Sequence, residues 1–358
     1  MSLPGEKPLR LLVVCPSWVG DAVMATPALD RLRSELPGAF IGALVRPGID
    51  RVLAGAGFFD EVHVERAAGV MGPKFVAAKV RPRRYDTALL LTNSFSTALI
   101  ARIAGIPRRV GYDRDGRGLL LTDRLKPEKL AAGGWAIVPA ANYYWRLIDA
   151  LLAGPPGDGT LPDHARMRLA TTPEEEAEAE AILERAGIDA AAPFCVLNPG
   201  GNNPAKRWPA DRFAEIGRRL REAYGMAALV NGSPGEAELT GEIAGACGGV
   251  DLVALGNTLG ALKAIVKRAG LMVTNDTGPR HIAVAFGVPT LSLFGPTDHR
   301  WTIVPKGSGG GEEVLLADPT LPETESANDH PERCRIDRIG TERVWEAVSG
   351  LLGGIGSA

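Results

Sequence analysis

The chain has 358 residues, of which 45% are hydrophobic and 23% charged, and its formal net charge is −2. That composition belongs to a folded globular protein and excludes a disordered chain. It also excludes a bundle of membrane-spanning helices, since no apolar run approaches the roughly 18–20 residues that cross a bilayer. The length exceeds what one hydrophobic core usually supports, so two domains are expected.

Residues Met1–Pro8 carry no apolar signal-peptide core and lead straight into a strand, which predicts a cytoplasmic protein. Leu9–Cys15 reads as that strand and Asp21–Leu36 as a helix; Phe40–Val45, Glu61–Glu65 and Asp86–Leu91 read as further strands. Helical patterns lie between them, including Phe95–Ala104, and Arg109–Tyr112 reads as another short strand. Strand and helix alternating at this spacing imply a mostly parallel sheet covered on both faces. The Gly/Pro-rich stretch Ala153–Thr160 reads as a linker, followed by an acidic helix opening at Pro173–Glu178.

The second half repeats the scheme. Strands are expected at Phe194–Leu197, Ala227–Asn231, Asp251–Leu255, Leu271–Thr274 and Thr290–Phe294. Helices are expected at Ala210–Tyr224, Glu236–Cys247, Leu259–Lys267 and after Gly278. Lys306–Pro331 reads as a long surface loop, and Thr341–Leu352 as a last helix able to dock back on the first domain. The expected division is 1–165, 166–340 and a C-terminal helix at 341–358.

The small net charge hides an asymmetry. Residues 1–160 hold 21 Lys+Arg against 15 Asp+Glu, leaving 19 against 27 for residues 161–358, or +6 and −8. A basic first half suits an anionic partner, with plain drift of surface charge as the alternative. No nucleic-acid motif is present. The four cysteines (Cys15, Cys195, Cys247, Cys334) form no Cys-x-x-Cys pair, and the five histidines (His63, His164, His281, His299, His330) show no metal-ligand spacing. Neither a disulfide framework nor a metal is therefore expected.

Four strand-end segments carry candidate chemistry. In Pro16-Ser17-Trp18-Val19-Gly20-Asp21 a carboxylate stands at a helix opening, where Asp21 either caps the helix or acts as a general base. The Gly/Asn-rich Asn198–Pro209 loop offers backbone N–H groups to an anion, and Lys206 adds a point charge suited to a diphosphate. In Asn231–Glu236 the Glu236 carboxylate either accepts from ribose hydroxyls or caps a helix. Thr274–His281 links a buried strand to a helix, with Asp276 or Thr277 as N-cap and Gly278 allowing close approach. A helix N-terminus at the end of a strand is where open α/β sheets bind phosphate. His281 on that apolar helix is either a packed side chain or a ligand contact. The Gly-x-Gly-x-x-Gly fingerprint is missing from both halves, which disfavours a nicotinamide oxidoreductase.

Pro16–Asp21, Pro199-Gly200 through Lys206-Arg207-Trp208-Pro209, and Asn275–Gly278 with His281 together resemble the ADP-heptose:lipopolysaccharide heptosyltransferases. Thr92–Phe95 and Ala104–Gly111 extend the resemblance over nearly the whole chain. It implies the GT-B fold, two Rossmann-like doubly wound α/β domains facing a cleft, with acceptor on the first and nucleotide sugar on the second. It implies inverting, metal-independent and cofactor-free transfer of heptose from ADP-heptose to a lipopolysaccharide inner-core sugar.

Carried over by motif, Asp21 resembles the general base and Lys206 the group that stabilises the leaving diphosphate. Asn202, Lys206, Glu236, Asp276, Thr277, Gly278 and His281 are then donor-site candidates. Ser17, Trp18, Asn93, Arg108 and Arg109 are acceptor-site candidates, and Arg83-Arg84 offers further charge to an anionic glycolipid at the membrane face. Two departures stand out: Gly278-Pro279-Arg280 brings an extra cation, and Gly200–Asn203 lacks the acid or Thr of many relatives. They leave the transferase class intact and the exact sugar open; the alternatives to this reading are another nucleotide sugar, a non-lipopolysaccharide acceptor, or a catalytically idle nucleotide- or glycan-binding relative.

Overall fold

The structure, a computed structural model, describes residues 8–129, 135–153, 159–189, 192–308 and 311–355. The expected linker Ala153–Thr160 and the N-terminal segment Met1–Pro8 lie largely outside these residues. The chain divides into two compact units, Met1–Arg168 with Arg300–Pro305, and Leu169–His299 with Lys306–Ala358.

The first unit holds β1 (Arg10–Val14), β2 (Phe40–Val45), β3 (Glu61–Val64), β4 (Thr87–Leu90), β5 (Arg108–Tyr112) and β6 (Asp123–Leu125). They form one six-stranded sheet in the order β3-β2-β1-β4-β5-β6, every pair parallel. The central strands are apolar because both faces are covered: Leu11, Leu12 and Val13 of β1 are fully buried. The helices here are α1 (Val19–Met24), α2 (Thr26–Glu35), α3 (Ile49–Leu53), α4 (Gly72–Val80), α5 (Phe95–Ile103) and α6 (Ala140–Ala153). The single helix expected from Asp21 to Leu36 is in fact two. Pro27 cannot donate a backbone hydrogen bond, and Thr26 turns its hydroxyl onto the Val23 carbonyl (2.7 Å), so a new helix starts at the break.

The second unit holds α7 (Pro173–Arg185), β7 (Phe194–Asn198), α8 (Ala210–Tyr224), β8 (Ala227–Val230), α9 (Ala237–Cys247) and β9 (Val250–Asp251). It continues with α10 (Leu259–Arg268), β10 (Leu271–Asn275), α11 (Gly278–Ala285), β11 (Thr290–Phe294), β12 (Glu312–Leu316) and α12 (Thr341–Ile355). The six strands lie in the order β12-β11-β10-β7-β8-β9, again all parallel. Counted within each unit, the two strand orders are identical.

Further expectations are corrected here. The stretch read as a surface loop, Lys306–Pro331, contains edge strand β12, with Leu315 buried. The last helix buries Val344, Ala347 and Val348 in the core of the second unit, beside Trp208, Phe213 and Leu220. Its apolar face is used there, within the second unit. The strand expected at Asp251–Leu255 stops at Asp251.

In a doubly wound sheet the strand order reverses at one point, where the connections on either side leave in opposite directions and open a crevice at the carboxyl ends. In the first sheet that point lies between β1 and β4, and in the second between β7 and β10. Pro16–Asp21 follows β1 and Thr92–Ser94 follows β4. Likewise Pro199–Arg207 follows β7 and Asp276–Gly278 follows β10. The sequence motifs therefore occupy both switch points.

Candidate functional site

At the second switch point, β7 and β10 each end in asparagine, and β8 is followed by another. The three amides interlock. Asn275 Nδ2 donates to the carbonyls of Pro199 (2.7 Å) and Gly200 (3.2 Å), tying the loop after β7 to the end of β10. Asn198 Nδ2 donates to the hydroxyls of Thr274 (3.0 Å) and Thr277 (2.8 Å), while Asn231 donates to Asn198 Oδ1 (2.7 Å) and Asn257 to Asn231 Oδ1 (3.1 Å). Such a buried network fixes its members because every broken link leaves a polar atom unpaired.

One consequence falls on α11. Thr277 is its N-cap residue but makes no side-chain cap, because its hydroxyl is held by Asn198. The amides of the first turn thus keep their positive end for another acceptor. Beside them Lys206 Nζ meets Asp276 Oδ2 at 2.9 Å, and Thr297 donates to the same oxygen (3.3 Å). Burial pushes the Asp276 carboxyl upward, but Lys206 and Arg280 outweigh it and hold the group below its ordinary range. His281 is buried at 2% exposure, and burial, then Arg280, pulls it down to about 3. It is therefore a neutral imidazole at physiological pH, and its Nδ1 has no partner among the described residues.

Arg280 is not an available cation. It is 1% exposed, its Nε and Nη2 pair with the Glu312 carboxylate (2.5 and 3.1 Å), and its guanidinium lies over the Phe294 ring. The departure noted in the sequence is a brace between α11 and β12.

Glu236 is likewise engaged: Oε1 accepts from the Gly201 amide (2.7 Å) and Oε2 from the Ser233 amide and hydroxyl (both 2.8 Å). Burial raises its pKa and these amide bonds more than offset that, so it stays ionised and clamps two strand-end loops together. Gly200 is required beneath it, since a Cβ there would stand 2.5 Å from the carboxylate. Asn202 stands exposed on the same loop.

At the first switch point, Asp21 sits in the first turn of α1. Its Oδ1 accepts from the Tyr144 hydroxyl at 3.0 Å, reaching from α6. Tyr144 is buried, and burial, then the Asp21 charge, pushes its pKa well up, so it remains a donor. Asn93, after β4, accepts from Tyr143 (3.0 Å) and from Arg117 Nη2 (3.2 Å). Arg117 is fully buried and donates also to the carbonyls of Thr92 and Tyr112. Desolvation brings its pKa down to about 10, which leaves it charged. Ser17 is half-buried beside Asp21 in sequence, and Trp18 is 65% exposed.

Arg108 and Arg109 do not belong with this group. They stand at the amino end of β5, in register with Thr87 and Ala88 at the start of β4, the opposite edge from Asp21 and Asn93. Arg108 is held by Asp123 and the Leu151 carbonyl, Arg109 by the carbonyls of Leu120, Ile106 and Pro107. Arg83 is tied to Glu61. Sequence reasoning missed Tyr144 and Arg117, for which no local signal exists. It also passed over the asparagine that closes three neighbouring strands, a repeat visible in FCVLN, AALVN and LMVTN. No group of three or more His, Cys, Asp and Glu side chains is placed to hold a metal among the described residues.

The description "Glycosyltransferase family 9 (heptosyltransferase)" matches residues 76–308 of the chain. Lipopolysaccharide heptosyltransferase 2 of Escherichia coli K12 is 27% identical over 304 residues, covering 82% of this chain and 85% of that protein. The solved structure of the E. coli ADP-heptose lps heptosyltransferase II superposes with a TM-score of 0.78 at 24% identity, covering 98% of this chain and 100% of the other. A family 9 glycosyl transferase from Veillonella parvula gives the same TM-score at 22% identity, with 97% of each chain covered. These likenesses identify the architecture as the GT-B fold.

Proposed function

Because the chain belongs to glycosyltransferase family 9, the heptosyltransferases, we propose that it transfers heptose from ADP-heptose to a lipopolysaccharide inner-core sugar, with inversion at the anomeric carbon. The first domain, 1–165, takes the acceptor and the second, 166–340, the nucleotide sugar. The observation that carries this reading is the occupation of both switch points by complementary chemistry: a carboxylate with a bound donor at Asp21, and a cation with an uncapped helix N-terminus at Lys206 and Gly278. The names of the relatives, which specify ADP-heptose and lipopolysaccharide, support the substrate pair.

In this mechanism Asp21 accepts the proton of the acceptor hydroxyl as its oxygen attacks C1 of the heptose. The C1–O bond to the diphosphate breaks on the opposite face, its electron pair goes to the leaving ADP, and inversion follows. The developing negative charge meets Lys206 and the first-turn amides of α11, donors already fixed before reaction. Asp276 holds the Lys206 ammonium at 2.9 Å, so the cation is positioned in advance. With that charge supplied by the protein, transfer proceeds in the presence of a chelator. Thr277, Gly278, His281 and Asn202 line the donor position, and Ser17, Trp18 and Asn93 the acceptor position. Glu236 acts by shaping the loop. Among the described residues no helix is long and apolar enough to cross a membrane; we assign the reaction to the cytoplasmic side, on an acceptor presented at the membrane surface.

The test is ADP release from ADP-heptose with a heptose-deficient core glycolipid as acceptor. Wild type should release ADP only with acceptor, and Asp21→Ala should lose about 10²–10⁴-fold in kcat while ADP affinity by calorimetry is unchanged. Tight ADP binding without turnover would mean that the donor sugar or the acceptor is misassigned.

A further inference from the structure

The first unit carries an apolar prominence that nothing in the proposed chemistry uses. After edge strand β3 the chain turns at Gly69–Gly72, where the Gly72 amide bonds the Gly69 carbonyl (3.2 Å), and enters α4 directly. Val70 is 96% exposed, Met71 49% and Phe75 64%. Met71 and Phe75 are one helical turn apart, joined by the Phe75 amide on the Met71 carbonyl (3.2 Å), so they share a face. The opposite face of α4 is buried through Pro73, Val76, Ala77 and Val80. The core-facing side of α4 is thus already filled, and Val70, Met71 and Phe75 form a separate exposed apolar cluster at the entry to the helix, beside Lys74.

Charge decides what covers it. From Arg66 to Arg84 the sequence holds Arg66, Lys74, Lys79, Arg81, Arg83 and Arg84 and not one Asp or Glu. Lys79 and Arg83 are paired with Glu65 and Glu61, but Arg66, Lys74, Arg81 and Arg84 have no carboxylate partner among the described residues. A partner protein that merely needed apolar contact would not call for this one-sided charge. Exposed aliphatic and aromatic side chains flanked by unpaired cations are the chemistry of an anionic lipid surface. The strands of this sheet are parallel, so the turn after β3 emerges at the same carboxyl edge as Trp18, Asp21 and Asn93.

We propose that Val70, Met71 and Phe75 insert into the headgroup region of an anionic bilayer, with Arg66 and Lys74 on the lipid phosphates, so that the acceptor edge of the first unit faces the membrane. This rests in part on the reading of a lipid-anchored acceptor.

Flotation of the full chain with phosphatidylglycerol-containing vesicles tests it without donor or acceptor. Wild type should float with these vesicles, not with pure phosphatidylcholine, and be released by high salt. Met71→Ser combined with Phe75→Ser should weaken binding about tenfold, with the melting temperature and activity on a soluble, deacylated acceptor unchanged. Arg66→Glu with Lys74→Glu should abolish the preference for anionic lipid. Failure of wild type to float, or undiminished flotation of both variants, overturns the proposal. So does a concentration-dependent dimer in sedimentation that the Met71/Phe75 variant abolishes, which would assign the face to a second copy of the chain. Flotation with no turnover on the soluble acceptor would instead count against the proposed reaction and leave the docking surface standing.

Discussion

Each sheet braces its switch point with a fully buried arginine, and the two arginines are satisfied in opposite ways. Arg117 in the first unit donates to carbonyl and amide oxygens, those of Thr92, Tyr112 and Asn93, so its charge is solvated but not cancelled. Arg280 in the second unit is locked to Glu312 and stands 3.6 Å from Asp276, so its charge is met by carboxylates. Identical strand order thus carries different electrostatics. At the first edge the Arg117 charge is met by neutral oxygens, with the Asp21 carboxylate held separately by Tyr144. At the second, Lys206 and the uncapped α11 amides stand together, the groups that the proposed mechanism assigns to the diphosphate.

The strongest way to break this contrast is to unbalance the second arginine. Glu312→Gln leaves Arg280 charged and buried with one partner lost, and should destabilise the protein by about 3–5 kcal/mol. Replacing both members, Arg280→Met with Glu312→Leu, should recover most of that loss in denaturant melts. If the double variant folds well yet loses ADP affinity, then Arg280 serves the ligand and the brace reading fails. ADP affinity equal to wild type would establish that the extra cation is structural.

Lys206→Ala sharpens the comparison from the ligand's side. Removal of this positioned cation should lower kcat about 10²–10³-fold, with a smaller effect on KM, because in the proposed mechanism the charge it meets develops as ADP leaves. The variant also leaves Asp276 with Arg280 as its remaining cationic neighbour, so Lys206→Ala with Asp276→Asn separates the two roles. Equal loss in the single and double variants assigns the defect to the missing cation. Recovery in the double variant assigns it to a carboxylate repelling the diphosphate.

These contrasts follow how much the sequence could reveal. The motifs at Pro16–Asp21, Asn198–Arg207 and Thr274–His281 were legible because switch-point chemistry is local: strand, polar turn and helix cap lie within a few residues. Arg280 stands out in the sequence only as an extra cation because its partner lies 32 residues on, in a stretch whose Gly, Pro and acidic content masks strand β12. Arg108 and Arg109 looked like acceptor contacts because a pattern of charges does not say which edge of a sheet it occupies; strand direction does. The whole exposed face of α4 was likewise invisible, since Met71 and Phe75 fit a helical core pattern equally well.

Tyr144 is the clearest case of a contact that no local pattern carries, 123 residues from the carboxylate it serves. Its hydroxyl donates to Asp21, and a donor bonded to a carboxylate favours the charged form, which is the form that the proposed proton transfer requires. Tyr144→Phe removes that bond without changing the ring, so the acidic limb of the kcat/KM profile should move to higher pH. A hydrogen bond to a charged group contributes about 1.5–3 kcal/mol, so the displacement should be roughly one to two pH units, with the plateau at high pH nearly unchanged. A purely structural tyrosine would lower the plateau or the melting temperature and leave the limb where it was. The same substitution at Tyr143, which bonds Asn93 instead, should not move the limb. The pair of neighbouring tyrosines therefore tests whether the first switch point is tuned for proton transfer or only packed.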